Sequence, residues 1–142
     1  MPSVRRLQHT SIPMPPGGEE TARQFYGTAL GLREIPTPQN LAAMKLIWFA
    51  VAADGGEVHL FTDEGAVSNA AQHLGLEVDD LAAYERRLIA QGYRVEMPEA
   101  IVNRPRLFTR DPFGNLIELV QILGPYHERP RPTHLTHPPI CG

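Results

Sequence analysis

A chain of 142 residues can build one compact core, or two small modules that share one, but not two independent domains of usual size. Its hydrophobic fraction of 42% and charged fraction of 20% are those of an ordinary globular protein, and a formal net charge of -3, with basic residues scattered among acids, argues against a nucleic-acid partner. Cys141 is the single cysteine, no apolar h-region follows Arg5-Arg6, and no apolar run approaches a membrane span, so a cytoplasmic protein without disulfides or membrane contact is expected.

In chain order, residues 7 to 13 read as a short strand closed by Pro13, Pro15 and Pro16. Glu19-Glu20-Thr21 then open a helix whose Ala22, Phe25, Tyr26, Ala29 and Leu30 fall on one face at helical spacing, with Gly31 placed to end it. Residues 32 to 35 are expected as a short strand, 44 to 53 as a long one, and 57 to 62 as another after the Asp54-Gly55-Gly56 turn. After a small-residue linker over 63 to 71 the order repeats. Residues 73 to 78 form a strand, Asp79-Asp80 cap a helix carrying Leu81, Tyr84, Leu88 and Ile89, and Gly92 ends it. Residues 93 to 96, 106 to 110 and 116 to 122 read as three more strands, the last two joined through Asp111-Pro112-Phe113-Gly114-Asn115. The expected fold class is α+β: a single domain over 1–124 made of two βαβββ modules, about 4–62 and 72–123, followed by a proline- and histidine-rich tail over 125–142.

The repeat extends to residues that carry chemistry. Gln8-His9 recurs as Gln72-His73, and Glu57-Val58-His59-Leu60-Phe61 recurs as Leu116-Ile117-Glu118-Leu119-Val120. Two modules packed about a pseudo-twofold axis would bring His9, His59, His73 and Glu118 together, and imidazole with carboxylate is a donor mix that zinc, nickel, cobalt, manganese or iron(II) accepts. Strand alternation puts Glu118 in an otherwise apolar strand, where a carboxylate needs a cation, a proton or a donor such as Arg106 or Arg110. Trp48 and Phe49 must point to opposite faces, so that one can line a pocket while the other packs on a helix. Arg106 and Phe108 share a face, and a pocket arginine there could grip a carboxylate or phosphate. Trp48, Phe61, Arg106 and Phe108 are therefore candidate substrate contacts. His127, His134 and His137 tempt a second metal reading, but the prolines at 130, 132, 138 and 139 forbid the helix that would align them.

Four segments carry a resemblance over roughly residues 4 to 123: Leu7-Gln8-His9-Thr10-Ser11-Ile12, Phe25-Tyr26-Gly27-Thr28-Ala29-Leu30-Gly31-Leu32, His73-Leu74-Gly75-Leu76-Glu77-Val78-Asp79-Asp80, and Asp111-Pro112-Phe113-Gly114-Asn115-Leu116-Ile117-Glu118-Leu119. In this order and spacing the chain resembles the vicinal oxygen chelate superfamily, the glyoxalase, bleomycin-resistance and extradiol-dioxygenase group. The resemblance implies metal ligation by His9, His59, His73 and Glu118, catalytic roles for Glu118 and His59, a small-molecule substrate and a homodimer whose sites take strands from both chains. Glyoxalase I commonly has glutamate where this chain has His59. The implied function is a glyoxalase-like lyase or isomerase acting on a small oxygenated substrate chelated at a divalent metal. Its alternatives are a ring-cleaving dioxygenase using His9, His73 and Glu118 on iron(II), and a metal-free binding protein of bleomycin-resistance type.

Overall fold

A computed structural model describes residues 1–53, 55–65 and 71–126. Two four-stranded mixed sheets of identical topology make up its frame. The first has the order β1-β4-β3-β2, from β1 (His9–Met14), β2 (Arg33–Ile35), β3 (Ile47–Ala50) and β4 (Glu57–Thr62). The second has the order β5-β8-β7-β6, from β5 (His73–Glu77), β6 (Val95–Glu96), β7 (Arg106–Arg110) and β8 (Leu116–Val120). In each, the first strand runs parallel to the last and the remaining pairs are antiparallel, so both sheets are the expected βαβββ modules.

The first helix departs from the expected α-helix. Glu19–Ala22 (α1) is α-helical, but Arg23–Ala29 continues as a π-helix, whose wider turn ends with Leu30 N–H donating to Phe25 O. Adjacent Phe25 and Tyr26 are both fully buried there, and Gly31, at φ 77°, reverses the chain while Leu32 N–H donates to Tyr26 O. The second helix, α2 (Leu81–Ala90), is α-helical as expected, with Asp80 Oδ1 accepting from Ala83 N–H at 3.0 Å. Ile89, expected on its core face, is exposed; Leu81 and Leu88 carry the packing. The long strand expected over 44 to 53 is also shorter. Gln39–Met44 is a 3-10 helix, and Lys45 in the left-handed region at φ 55° turns the chain, so pairing starts only at Ile47.

One continuous core joins the modules. Alternation turns Met14, Ile47, Phe49, Val58 and Leu60 toward Ala22, Phe25, Tyr26 and Ala29, and Leu76, Leu107, Ile117 and Leu119 toward Leu81 and Leu88. Full burial of each large apolar side chain stabilises by about 1.5–3 kcal/mol. Polar contacts cross the same seam. Tyr84 Oη donates to Leu30 O (2.9 Å) and Arg87 to Ala29 O (3.4 Å), supplying carbonyls at the end of the π-helix with donors from α2. Tyr26 Oη donates to Asp111 Oδ2 (2.6 Å), Asn115 Nδ2 donates to the same oxygen (2.7 Å) and to Pro13 O (2.9 Å), and Asp111 Oδ1 accepts from the backbone of Phe113 and Asn115. Burial, then the Asp111 carboxylate, pushes the Tyr26 hydroxyl well above the usual tyrosine range. Among the described residues no helix is long and apolar enough to cross a membrane.

Candidate metal centre

The opposite face of each sheet carries the candidate donors at matching register. In the first sheet Ser11 and Trp48 both pair with His59, and His9 pairs with Glu57. In the second, Gly75 and Phe108 both pair with Glu118, and His73 pairs with Leu116. His59 and Glu118 thus occupy equivalent central positions, each one strand from an edge-strand histidine.

In the second sheet His73 donates from Nδ1 to Ala71 O (2.9 Å), while its Nε2 stands 2.9 Å from Glu118 Oε2. A neutral imidazole whose Nδ1 carries the proton has a lone pair at Nε2, and an ionised carboxylate has only acceptors. Two acceptors at that distance require a proton or a metal cation between them. At 2.9 Å a proton would make this an ordinary hydrogen bond, and a divalent ion, if bound, would take both atoms as ligands. Glu118 Oε1 faces Arg106 Nη1 at 3.4 Å, the arginine pairing anticipated as an alternative for this carboxylate. Arg106 Nη2 donates to Glu99 O (2.9 Å), and its Nε is buried with no hydrogen-bond acceptor among the described residues. Phe108 stands edge-on to His73, with ring centroids 5.2 Å apart.

The first sheet builds its half differently. His59 is 9% exposed and lies in a column of rings, Trp48 on one side (3.8 Å, 4° between planes) and His9 on the other (4.3 Å, 17°). Phe49 turns to the core beside Tyr26, which answers which of the two neighbouring aromatics lines the face. His59 Nε2 donates to Glu57 Oε2 at 2.6 Å, and His9 Nδ1 donates to Gln8 Oε1 at 2.5 Å. The hydrogen bond from His59 holds the Glu57 carboxyl below the usual glutamate range, against an opposing effect of burial. Glu57 was not singled out from sequence, although its place two residues from His59 put it on the same face. Phe61 lies half-buried on that face and, with His73, Leu74, Thr10, Ile12 and Leu116, lines a cleft of about 300 Å³ between the edge strands β1 and β5.

The four candidate donors therefore form two pairs, His9 with His59 and His73 with Glu118. Among the described residues no three His, Cys, Asp or Glu side chains of one chain gather around a common point. His127, His134, His137, Cys141 and the turn residue Asp54 lie outside the described residues.

Comparison with known proteins gives the pattern a context. A family description, the glyoxalase/bleomycin resistance protein/dioxygenase superfamily, matches residues 6–119. A Bacillus anthracis protein assigned to the glyoxalase family shares 30% identity at a TM-score of 0.79, over 86% of this chain and 98% of that one. The lactoylglutathione lyase of Agrobacterium tumefaciens (20% identity, TM-score 0.61, 82% and 92% covered) and the fosfomycin resistance protein FosX of Listeria monocytogenes (16%, 0.69, 83% and 91%) share the fold. No curated protein matches the sequence. The protein belongs to the glyoxalase/bleomycin resistance protein/dioxygenase superfamily.

Proposed function

We propose that this protein is a metal-dependent lyase or isomerase of glyoxalase type, acting on a small substrate with adjacent oxygens, and that its site joins His9 and His59 of one chain to His73 and Glu118 of a second copy. The observation that carries the reading is the facing of His73 Nε2 and Glu118 Oε2 across 2.9 Å, with the Nδ1 proton spent on Ala71 O. Exchange between two copies is supported by the two-pair arrangement, because one chain gathers no three donors among its described residues. Superfamily members generally use divalent metals and bind small-molecule substrates. His9, His59, His73 and Glu118 would hold the ion, whose chemistry when bound is that of a Lewis acid toward substrate oxygens.

The remaining steps fall to the chain's own residues. Glu118 is the proton carrier between neighbouring substrate carbons, and Arg106 on its second oxygen fixes the direction in which the carboxylate faces. Trp48, Phe61 and Phe108 supply apolar walls that exclude water and hold the substrate chain. Three imidazoles and one carboxylate leave a divalent site one unit more positive than a two-carboxylate site, which strengthens its pull on substrate oxygens.

The test is metal analysis of untagged protein against a His73→Ala, Glu118→Ala double variant; equal metal in both overturns the reading. Mixing that variant with a His9→Ala, His59→Ala variant tests exchange. Random pairing of shared sites restores about a quarter of the wild-type metal, and sites confined to one chain restore none. A second reading is favoured by the enclosure of His59 between Trp48, His9 and Glu57, which could spare it from ligation. His9, His73 and Glu118 would then form the facial triad of an iron(II) ring-cleaving dioxygenase, recognised by oxygen uptake and yellow products from catechols.

A further inference from the structure

The geometry points to Glu57 as a positioning residue that holds His59 in its Nε2–H tautomer, making Nδ1 the nitrogen offered to the metal; this rests on the metal-site reading above. Glu57 is an acceptor-only group when ionised, so the 2.6 Å contact with Nε2 requires the imidazole proton there. The neutral ring then keeps its lone pair on Nδ1. His9 and His73 are fixed the opposite way: each spends its Nδ1 proton on an oxygen, Gln8 Oε1 for one and Ala71 O for the other, leaving Nε2.

The ring of His59 has little freedom left. Trp48 at 3.8 Å and His9 at 4.3 Å fix its plane, and Glu57 fixes which edge points along the strand. Outer carboxylates of this kind orient a ligating histidine and raise its basicity. The equivalent register position in the second sheet is Leu116, so the second module has no such carboxylate; there the acid itself stands at the donor position, as Glu118. The first module has in effect moved its carboxylate two residues along the strand, from donor to support. A cation held by His59 Nδ1 would then have this carboxylate one hydrogen bond away rather than as a direct ligand.

The experiment is a long-range proton–nitrogen correlation on histidine-labelled, metal-free protein at neutral pH, with zinc and cobalt titrations of the same samples. Wild type is expected to show His59 as the Nε2–H tautomer. Glu57→Leu, which copies the second module, is expected to give mixed tautomers and metal affinity roughly tenfold to a hundredfold weaker, with Glu57→Gln recovering part of both. Wild-type His59 in the Nδ1–H form, or an unchanged tautomer and affinity in Glu57→Leu, overturns the inference while leaving the metal site intact. Wild type that binds neither ion overturns the metal reading and the ligation half of this inference together. A circular dichroism melt of each variant separates loss of fold from loss of orientation.

Discussion

The two modules share one topology and one register, yet they fill the central donor position with opposite chemistry. In the second, Glu118 stands between His73 and Arg106, a carboxylate held from both sides by groups that can be cationic. In the first, His59 stands between Trp48 and His9 and leans on Glu57, an imidazole held by π-surfaces and one acid. The comparison teaches that two modules of one backbone frame offer the same positions from which side chains can converge, while a carboxylate can stand on the same face two residues further along the strand. The same holds at the turns. Asp111 to Asn115 in the second module reach into the core beside Tyr26, whereas among the described residues of the matching turn in the first, Val51 N–H donates to Gly56 O.

Substitutions can break or sharpen this contrast. The largest effect is expected from Asp111→Ala, which removes the acceptor of Tyr26 Oη and of two backbone donors, and leaves Asn115 Nδ2 with Pro13 O alone. A loss of about 3–5 kcal/mol in urea unfolding is expected, with both modules melting in one transition. Two separated transitions in the wild type would contradict the shared core. Next comes the aromatic pair: Trp48→Ala is expected to lose about 2 kcal/mol and Phe108→Ala about 1 kcal/mol, because Trp48 stacks flat on an enclosed ring while Phe108 meets His73 only by its edge. Equal losses would deny the ring column any special part in the first half-site.

The third expectation concerns pH. Tyr26 has its hydroxyl raised above the unfolded value near 10, so its stabilisation is complete below about pH 10 and falls as pH rises toward the folded-state value, since the unfolded chain then releases the proton first. Tyr26→Phe is expected to cost about 1 kcal/mol at neutral pH and to flatten the alkaline decline in denaturant midpoints. The smallest effect is expected from Gly75→Ser, which copies Ser11 of the first module. A Cβ there meets nothing within 4 Å, so stability should change by less than about 0.5 kcal/mol. A larger loss would show that the face beside Glu118 is more tightly filled than the geometry gives.

Much of this was legible in the sequence, for definite reasons. Alternation in 57–62, the capping Asp80 and the turn at 111–115 are local signals, and each sits where it was expected, while the strand read over 116 to 122 ends at Val120. The π-helix was not legible, because Phe25, Tyr26 and Ala29 satisfy an α-helical face equally well, and the contacts of Phe25 with Tyr93 and of Tyr26 with Phe49 are made across the fold. The shortened β3 hid within a continuous apolar run from Leu46 to Ala53, while Lys45 reverses the chain first. Within the candidate site, the donor types were visible as a repeat. The grouping into two pairs and the part of Glu57 depend on side-chain direction and on contacts between strands, which spacing along the chain does not carry.

The parallel pairing of each first strand with the last of its module also has a consequence in time. His9 pairs with Glu57 and His73 with Leu116, so neither edge strand can be hydrogen-bonded until its whole module has been synthesised. Such distant pairing makes folding slow relative to a hairpin, whose strands meet within microseconds. On the ribosome, the strand that emerges first would be among the last to be secured. His9 and His73 therefore arrive at their partners late, after the antiparallel meanders that carry His59 and Glu118 have had the chance to form, and each half of the candidate site would be completed by the final step in the folding of its own module.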